Sequence, residues 1–373
     1  MSQSTPSHPL HASATAPSLP APIPPGNASE VIWEDPARET LFFRWLTDLN
    51  KAEGLQPDSL RPASADASFR RYLRIDSQHG TRIIMDAPPD KEDSKPFVDV
   101  ARLMTAAGLT VPEVLAWEVA NGFLLLSDLG NRTMMQTMDR TNPLANYAAY
   151  LAAVDTLIRW QLASKPGVLP PYDEALLHRE LQLFPDWYLA RHRGVQVEGE
   201  VKATLDAAFK DIVAQNLMWP SVYVHRDFMP RNLMQGSPPG VLDFQDAVYG
   251  PITYDIASLM RDAFLSWEED FVLDITIRYW EKARKAGLPV ADDFGAFYRG
   301  VEWMGLQRHL KIAGIFARLT LRDGKPQYLA DAPRFIDYIR ATCSRYRELK
   351  PLLRLIDRVE GVEAATGFAY GRV

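Results

Sequence analysis

The sequence has a single cysteine, Cys343, among its 373 residues. One cysteine cannot form an internal disulfide, so the fold does not depend on such cross-links, and this usage is typical of a reducing compartment. No apolar run approaches the ~20 residues needed to span a bilayer, and no basic start leads into an apolar stretch as in a secretory signal. We therefore expect a cytoplasmic protein that does not bind a membrane.

Residues 1–30 also lack lysine and arginine, and are rich in Ser, Pro, Ala and Thr. Such a segment cannot bury a core, so we interpret it as a disordered tail. The net charge of −6 argues against a nucleic-acid partner bound through phosphate contacts. Nothing in the sequence indicates an obligate protein partner.

The remaining chain is long enough for two lobes. Residues 31–128 show a helical pattern beginning at Asp35-Pro36, and then short alternating runs around 68–75, 81–85, 114–117 and 123–126. After Leu129-Gly130 the pattern is mainly helical. We predict an α+β, bilobal, protein-kinase-like fold, with a β-rich N-lobe (31–128) and a larger, mainly helical C-lobe (129–373).

Two linked motifs lie in the second lobe. Residues 225–232 read HRDFMPRN, and Asp243 follows eleven positions after Asn232. Kinases place a carboxylate that orients the attacking hydroxyl, an amide and a second carboxylate in this chain order. Short apolar runs at 221–224 and 240–242 predict two strands that would bring Asp227, Asn232 and Asp243 to one cleft.

These motifs, with the segment LLLSDLG and the later Asp255 in YDIASL, resemble the aminoglycoside phosphotransferase family, from about residue 33 onward. A closer resemblance is to bacterial sugar kinases that phosphorylate the anomeric hydroxyl of N-acetylmuramate and N-acetylglucosamine in peptidoglycan recycling. The segments that carry it span residues 62–75, 85–89, 172–189, 240–264 and 307–319.

The resemblance implies ATP as co-substrate and Mg²⁺ as cofactor. Asp227 then corresponds to the catalytic base, and Asn232 and Asp243 to the metal ligands. His225 and Asp255 correspond to residues that brace the catalytic loop, although the ordinary pKa of histidine would also suit a general base.

Residues of the N-lobe are predicted to contact the nucleotide. The loop expected over the phosphates has no glycine, and the alternative interpretation is a plain polar hairpin. The strand end before the second lobe is the candidate contact for the adenine, and the alternative there is an ordinary strand end. The predicted nucleotide contacts are Ser64, Asp66, Ser68, Arg70, Leu126, Asp128 and Leu129.

The strand that usually carries a phosphate-binding lysine reads Ile83-Ile84-Met85-Asp86 and has no basic residue. The helix after it offers no obvious glutamate partner. Arg70, Arg71 and Arg74 are the nearest replacements. On a strand, Arg70 and Arg74 share one face and Arg71 takes the other, but the sequence does not say which face looks into the cleft.

The substrate is predicted to be small, because only a short stretch separates Asp246 from the helix near Tyr254 and leaves no platform for a peptide. Basic residues at helical spacing would suit the carboxylate of N-acetylmuramate. Glu180, Arg261 and Arg308 are the predicted sugar contacts. Alternative substrates are an aminoglycoside or a choline-like alcohol. The chain could also be a catalytically inactive nucleotide-binding protein, which the missing lysine favours.

Overall fold

The computed structural model describes residues 31–64 and 70–362. Asp66 and Ser68 therefore lie outside the described residues, as does the side chain of Ser64. The first elements along the chain are α1 (Pro36–Glu53), β1 (Leu55–Ser64), β2 (Arg71–Ser77), β3 (Gly80–Asp86), α2 (Lys95–Ala106), β4 (Val114–Glu118) and β5 (Phe123–Ser127).

Helix α1 begins where the sequence predicted. The Asp35 side chain accepts a hydrogen bond from the N–H of Ala37 (2.9 Å), and Pro36 occupies the first helical position, where its missing N–H costs nothing. Gly54 ends the helix with φ 57°, a left-handed conformation that glycine adopts easily.

The five strands form one antiparallel sheet in the order β1-β2-β3-β5-β4. The sequence predicts hairpin turns at Ser77-Gln78-His79-Gly80 and at Asn121-Gly122, and the structure has hairpins at 77–80 and 118–123. Strand β1 was not predicted, because Pro57 and Pro62 interrupt its pattern. Its edge position and its two register shifts against β2 accommodate them.

The two faces of the sheet pack against different partners. Leu73, Ile75 and Ile84 form one core with α1, whereas Met85 and Leu126 belong to the larger core that continues into the rest of the chain. Since strand residues alternate between faces, Arg71 lies on the α1 face. Arg74 therefore lies on the face towards the second lobe, which the sequence had left open. Arg70 precedes the strand, and its interaction with Tyr72 of that face puts it on the same side.

The second region is mainly helical. Its elements are α3 (Met134–Thr137), α4 (Tyr147–Leu162), α5 (Glu174–Leu181), a π-helix (Phe184–His192), α6 (Gly199–Leu217), β6 (Ser221–Val224), β7 (Leu233–Met234), β8 (Gly240–Val241), β9 (Val248–Pro251), α7 (Thr253–Met260), α8 (Glu269–Lys285), α9 (Phe294–Leu321), α10 (Ala332–Arg345) and α11 (Lys350–Glu360). Short 3₁₀ turns lie between several of them, including Pro230–Asn232. The predicted α+β, bilobal kinase-like plan is confirmed, while the boundary at 128/129 stays a prediction.

Helix α9 is buried along most of its length. A Cβ at Gly314 would lie 2.3 Å from the carbonyl oxygen of Leu183, so only glycine permits this close approach. Gln307 Nε2 donates to the carbonyl of Leu177 in α5 (3.0 Å). These contacts hold α5 and α9 side by side next to the catalytic loop. Across the described ranges, no helix is long and apolar enough to cross a bilayer.

Candidate active site

Strand β6 leads directly into His225, whose ring is buried. Nδ1 accepts the N–H of Asp227 (3.2 Å), so the ring proton is on Nε2, which donates to the carbonyl of Leu242 (2.9 Å). Burial lowers the pKa of His225. The neutral ring has both nitrogens engaged and links the loop to the strand end before Asp243. No ring nitrogen is left to accept a proton from a substrate, so the geometry suits a bracing role better than that of a base.

The Asp255 carboxylate holds the backbone of the same loop. It accepts the N–H of His225 (2.7 Å) and the N–H of Arg226 (3.0 Å). Burial raises the pKa of Asp255 to about 6, against the opposing effect of these hydrogen bonds. The anchor fixes Arg226 at φ 77°, a left-handed conformation that costs a bulky residue about 1–2 kcal/mol.

Asn232 joins the two motifs. Its Nδ2 donates to the carbonyl of Asp227 (3.0 Å) and lies 3.3 Å from Asp243 Oδ2. Asp243 is exposed and has φ 63°. Its other oxygen accepts from Gln245 (2.8 Å). The structure therefore gathers Asp227, Asn232 and Asp243, as the spacing of the motifs predicted.

The oxygens of Asn232 and Asp243 suit a hard cation. Mg²⁺ is commonly held by one or two carboxylate or amide oxygens, together with waters and substrate phosphates. No group of three or more His, Cys, Asp or Glu within 31–64 and 70–362 forms a complete metal cage. The two side chains thus fit a metal that a nucleotide would share.

A buried ionic cluster lies beside the catalytic loop. Glu180 of α5 contacts Arg226 Nη2 (2.5 Å) and Lys311 Nζ of α9 (2.8 Å), and its other oxygen accepts a hydrogen bond from the Tyr172 hydroxyl. Burial would raise the pKa of Glu180, but the charges of Lys311 and Arg226 lower it to about 2. The carboxylate therefore stays ionised and holds the Arg226 side chain.

Arg308, one turn before Lys311 in α9, contacts the backbone of the same loop. Its Nη1 donates to the carbonyl of Arg226 (2.5 Å), and its guanidinium lies over the Tyr254 ring, 4.9 Å from the centroid. Glu180 and Arg308, two of the three predicted sugar contacts, thus meet at the residue before Asp227.

Arg261 does not join them. Its guanidinium contacts Tyr298 Oη (2.9 Å), Glu269 (3.2 Å) and Glu302 (3.5 Å) in a separate network between α7, α8 and α9. The sugar contact of Arg261 stays a prediction. Its place in the sequence, in the helix after Asp243, put the residue near the site but could not show which way its side chain turns.

The three N-lobe arginines that could replace the missing lysine are all paired. Arg71 pairs with Asp86 on the α1 face. Arg74 binds Asp128 (2.7 Å) and the carbonyl of Gly130 (2.8 Å). Arg70 pairs with Glu92 (3.3 Å). The sequence missed Glu92 because a partner was sought within α2, whereas Glu92 precedes that helix.

The segment between the lobes is well packed. Leu126 is 2% exposed and faces the second region. Burial would raise the pKa of Asp128, but the hydrogen bond from Arg74 lowers it. Leu129 packs so closely on Gly240 that a Cβ there would lie 2.8 Å from Leu129 Cδ1. Asp128 thus has a structural partner, and the backbone at 126–129 remains the candidate adenine contact.

Helix α2 packs against the segment that carries Asp243. The Phe97 and Phe244 ring centroids lie 4.8 Å apart. The contact links the helix that follows Glu92 to the residue after Asp243.

Comparison with known proteins agrees with this geometry. The protein that is named N-acetylmuramate/N-acetylglucosamine kinase in Pseudomonas aeruginosa is 50% identical over 324 residues, which cover 86% of this chain and 95% of that protein. The protein of the same name in Neisseria meningitidis is 48% identical and covers 83% of this chain and 93% of its own length.

Solved structures share the fold at low identity. An ADP-bound aminoglycoside phosphotransferase, APH(2'')-Ib, superposes with a TM-score of 0.53 at 14% identity, over 79% of this chain and 97% of its own. A choline/ethanolamine kinase family protein of Mesorhizobium loti gives a TM-score of 0.56 at 13% identity, over 84% and 99%. Residues 59–294 match the phosphotransferase enzyme family. The chain is therefore a member of the phosphotransferase enzyme family.

Proposed function

We propose that the protein transfers the γ-phosphoryl group of ATP, with Mg²⁺, to the anomeric C1 hydroxyl of N-acetylmuramate and N-acetylglucosamine, a step in recycling cell-wall sugars. The observation that carries the proposal is the Asn232 amide, which lies within hydrogen-bonding distance of both the Asp227 backbone and the Asp243 carboxylate. The printed names of relatives about half identical to this chain support the choice of sugar.

In this proposal Asp227 orients the C1 hydroxyl and accepts its proton. Asn232 and Asp243 hold the Mg²⁺, which neutralises charge on the phosphates when bound. His225 and Asp255 fix the loop, so that little reorganisation is needed at the moment of transfer. Positioning and electrostatics dominate such reactions, and proton transfer contributes about 10²–10⁴-fold.

The acceptor cleft suits a small neutral or anionic molecule better than a polycation. The groups around the Arg226 backbone are three cations, Arg226, Arg308 and Lys311, and three carboxylates, Glu180, Asp255 and Asp227, so there is no excess of acid to bind a polycation. An aminoglycoside would add positive charge there. Strand β9 begins two residues after Asp246, which leaves no room for a peptide-docking segment.

On the nucleotide side, we assign the phosphate-facing cation to Arg70. It pairs with Glu92 and directly follows residues 65–69 in the chain, the segment with the predicted phosphate contacts Asp66 and Ser68. An ion pair that orients a phosphate-binding cation is the device that kinases build from a strand lysine and a helix glutamate. The backbone of 126–129 would receive the adenine edge.

The test is a panel of acceptors: N-acetylmuramate, N-acetylglucosamine, kanamycin and choline, with ADP release as the readout. We expect turnover of the two amino sugars and a product whose phosphate is released by mild acid, as a glycosyl 1-phosphate requires. An acid-stable product would refute the C1 assignment. Turnover of kanamycin or choline alone would refute the sugar assignment.

Asp227→Asn is the matched variant, because it keeps the size of the side chain and removes only the proton acceptor. We expect it to bind ADP as the wild type does and to lose nearly all turnover. Retained turnover would show that Asp227 is not the base.

A further inference from the structure

Asp262 and Arg308 are buried at the junction between the end of α7 and the middle of α9, with 1% and 2% of their surfaces exposed. His309 Nε2 donates to the carbonyl of Arg261 (3.2 Å). Since His309 follows Arg308 and Arg261 precedes Asp262, this hydrogen bond brings the backbones of the two charged residues together.

Both side chains have hydrogen-bonding capacity that the protein does not use. Asp262 Oδ1 accepts the N–H of Phe264 (3.1 Å), whereas Oδ2 is buried and has no partner among the described residues. Arg308 uses Nη1 for the Arg226 carbonyl, whereas Nε and Nη2 are buried and unpartnered within the same ranges. Buried polar atoms are almost always paired, so these atoms call for a partner from outside the described residues, a water or a polar group of a ligand.

The junction lies next to the catalytic loop. Arg308 binds the carbonyl of the residue before Asp227. Burial raises the pKa of Asp262 to about 6, and the nearby charges of Arg308 and Arg231 oppose this rise. Arg231 belongs to the catalytic loop itself and stacks on Phe264, two residues after Asp262 (4.5 Å). A group held at the junction would therefore be part of a molecule whose reacting atom reaches Asp227.

We propose that Asp262 and Arg308 together bind one non-reacting polar group of the acceptor sugar. A hydroxyl can donate to Asp262 Oδ2 and accept from Arg308 at the same time, which satisfies both unpartnered sides. This inference rests on the proposed function and adds the residue that reads the sugar. It replaces Arg261 with its neighbour Asp262 as the specificity-determining residue.

The two proposed substrates narrow the choice of group. N-acetylmuramate carries a lactyl ether at O3, where N-acetylglucosamine has a free hydroxyl. A contact that serves both sugars must therefore use a group they share. The shared hydrogen-bond donors other than C1 are the 4-hydroxyl, the 6-hydroxyl and the acetamide N–H. Asp262 accepts from one of these three.

The experiment compares the wild type with Asp262→Asn, using both N-acetyl sugars, the 4-deoxy and 6-deoxy forms of N-acetylglucosamine, and glucose, which lacks the acetamide. We expect Asp262→Asn to lower kcat/KM for both natural sugars by about 10–100-fold, as for a lost hydrogen bond to a charged group, with KM for ATP unchanged. One analogue should be poor for the wild type and suffer no further loss in the variant. Asp155→Asn, an exposed carboxylate paired with Lys282, is the control and should change nothing.

Unchanged sugar kinetics in Asp262→Asn would overturn the proposal. An equal further loss on every analogue would also overturn it, since the residue would then be structural. If the variant does not fold, the wild-type kinetics test the proposal alone. Full turnover of both deoxy sugars and of glucose by the wild type would overturn it, because the protein would then bind none of the three shared donors. A wild type that phosphorylates neither N-acetyl sugar would instead refute the proposed function itself.

Discussion

Replacing Glu180 by glutamine removes the only acidic group in the cluster that it forms with Arg226 and Lys311. The substitution keeps the shape of the side chain and its acceptor oxygen. It leaves two cations that are largely buried and no longer neutralised by Glu180. Breaking a buried pair from one side costs about 3–5 kcal/mol. We therefore expect a marked fall in the free energy of unfolding.

The pKa of Glu180 gives an independent magnitude. The surrounding charges overcome burial and lower it from 4.5 to about 2, a change of roughly 2.5 units at 1.36 kcal/mol each. This corresponds to about 3 kcal/mol at pH 7. Because the folded-state pKa is depressed, the contribution is fully present above pH 4.5 and is lost as the pH falls towards 2.

The assay is urea unfolding of the wild type and Glu180→Gln at pH 7 and at acidic pH. The difference between the two should be about 3 kcal/mol at pH 7 and should narrow below pH 4.5. Asp206→Asn is the control, because the Lys202–Asp206 pair is exposed on both sides and should contribute about 0–0.5 kcal/mol. A Glu180→Gln protein as stable as the control at pH 7 would refute the reasoning.

Two further predictions concern the nucleotide and the thiol. Arg70→Met should weaken ADP binding by about 10–100-fold and leave adenosine binding unchanged, as measured by titration calorimetry; equal losses for both would show that Arg70 does not meet the phosphates. Burial raises the pKa of the Cys343 thiol to about 12, so the native protein should react slowly with a thiol reagent at pH 8 and rapidly in urea. Equal labelling rates in the two conditions would contradict this burial.

The sequence predicted the elements whose pattern is local. The start of α1, the two hairpins of the sheet and the spacing of Asp227, Asn232 and Asp243 all follow from neighbouring residues. The sequence did not predict strand β1, because its prolines are tolerated only at a sheet edge. Which strand lies at the edge is known only from the assembled sheet.

Side-chain direction was the other limit. Arg261 and Asp262 are neighbours at the end of the helix after Asp243, and the sequence could not show that their side chains turn to different partners. The face of β2 that carries Arg74 became clear once α1 was seen on the opposite face. Glu92 lies in a loop, where no periodicity predicts a partner.

The left-handed backbone at Arg226 and Asp243 has a consequence for protein engineering. Glycine would relax both positions, at a gain of about 1–2 kcal/mol for each removed strain. Glycine at 243 would also delete a proposed metal ligand, and glycine at 226 would delete the partner of Glu180. At 226 the broken buried pair costs about 3–5 kcal/mol, more than the relaxed backbone gains, so heat resistance alone would keep the arginine. At 243 nothing comparable opposes the gain, so a library screened for heat resistance should keep that position fixed.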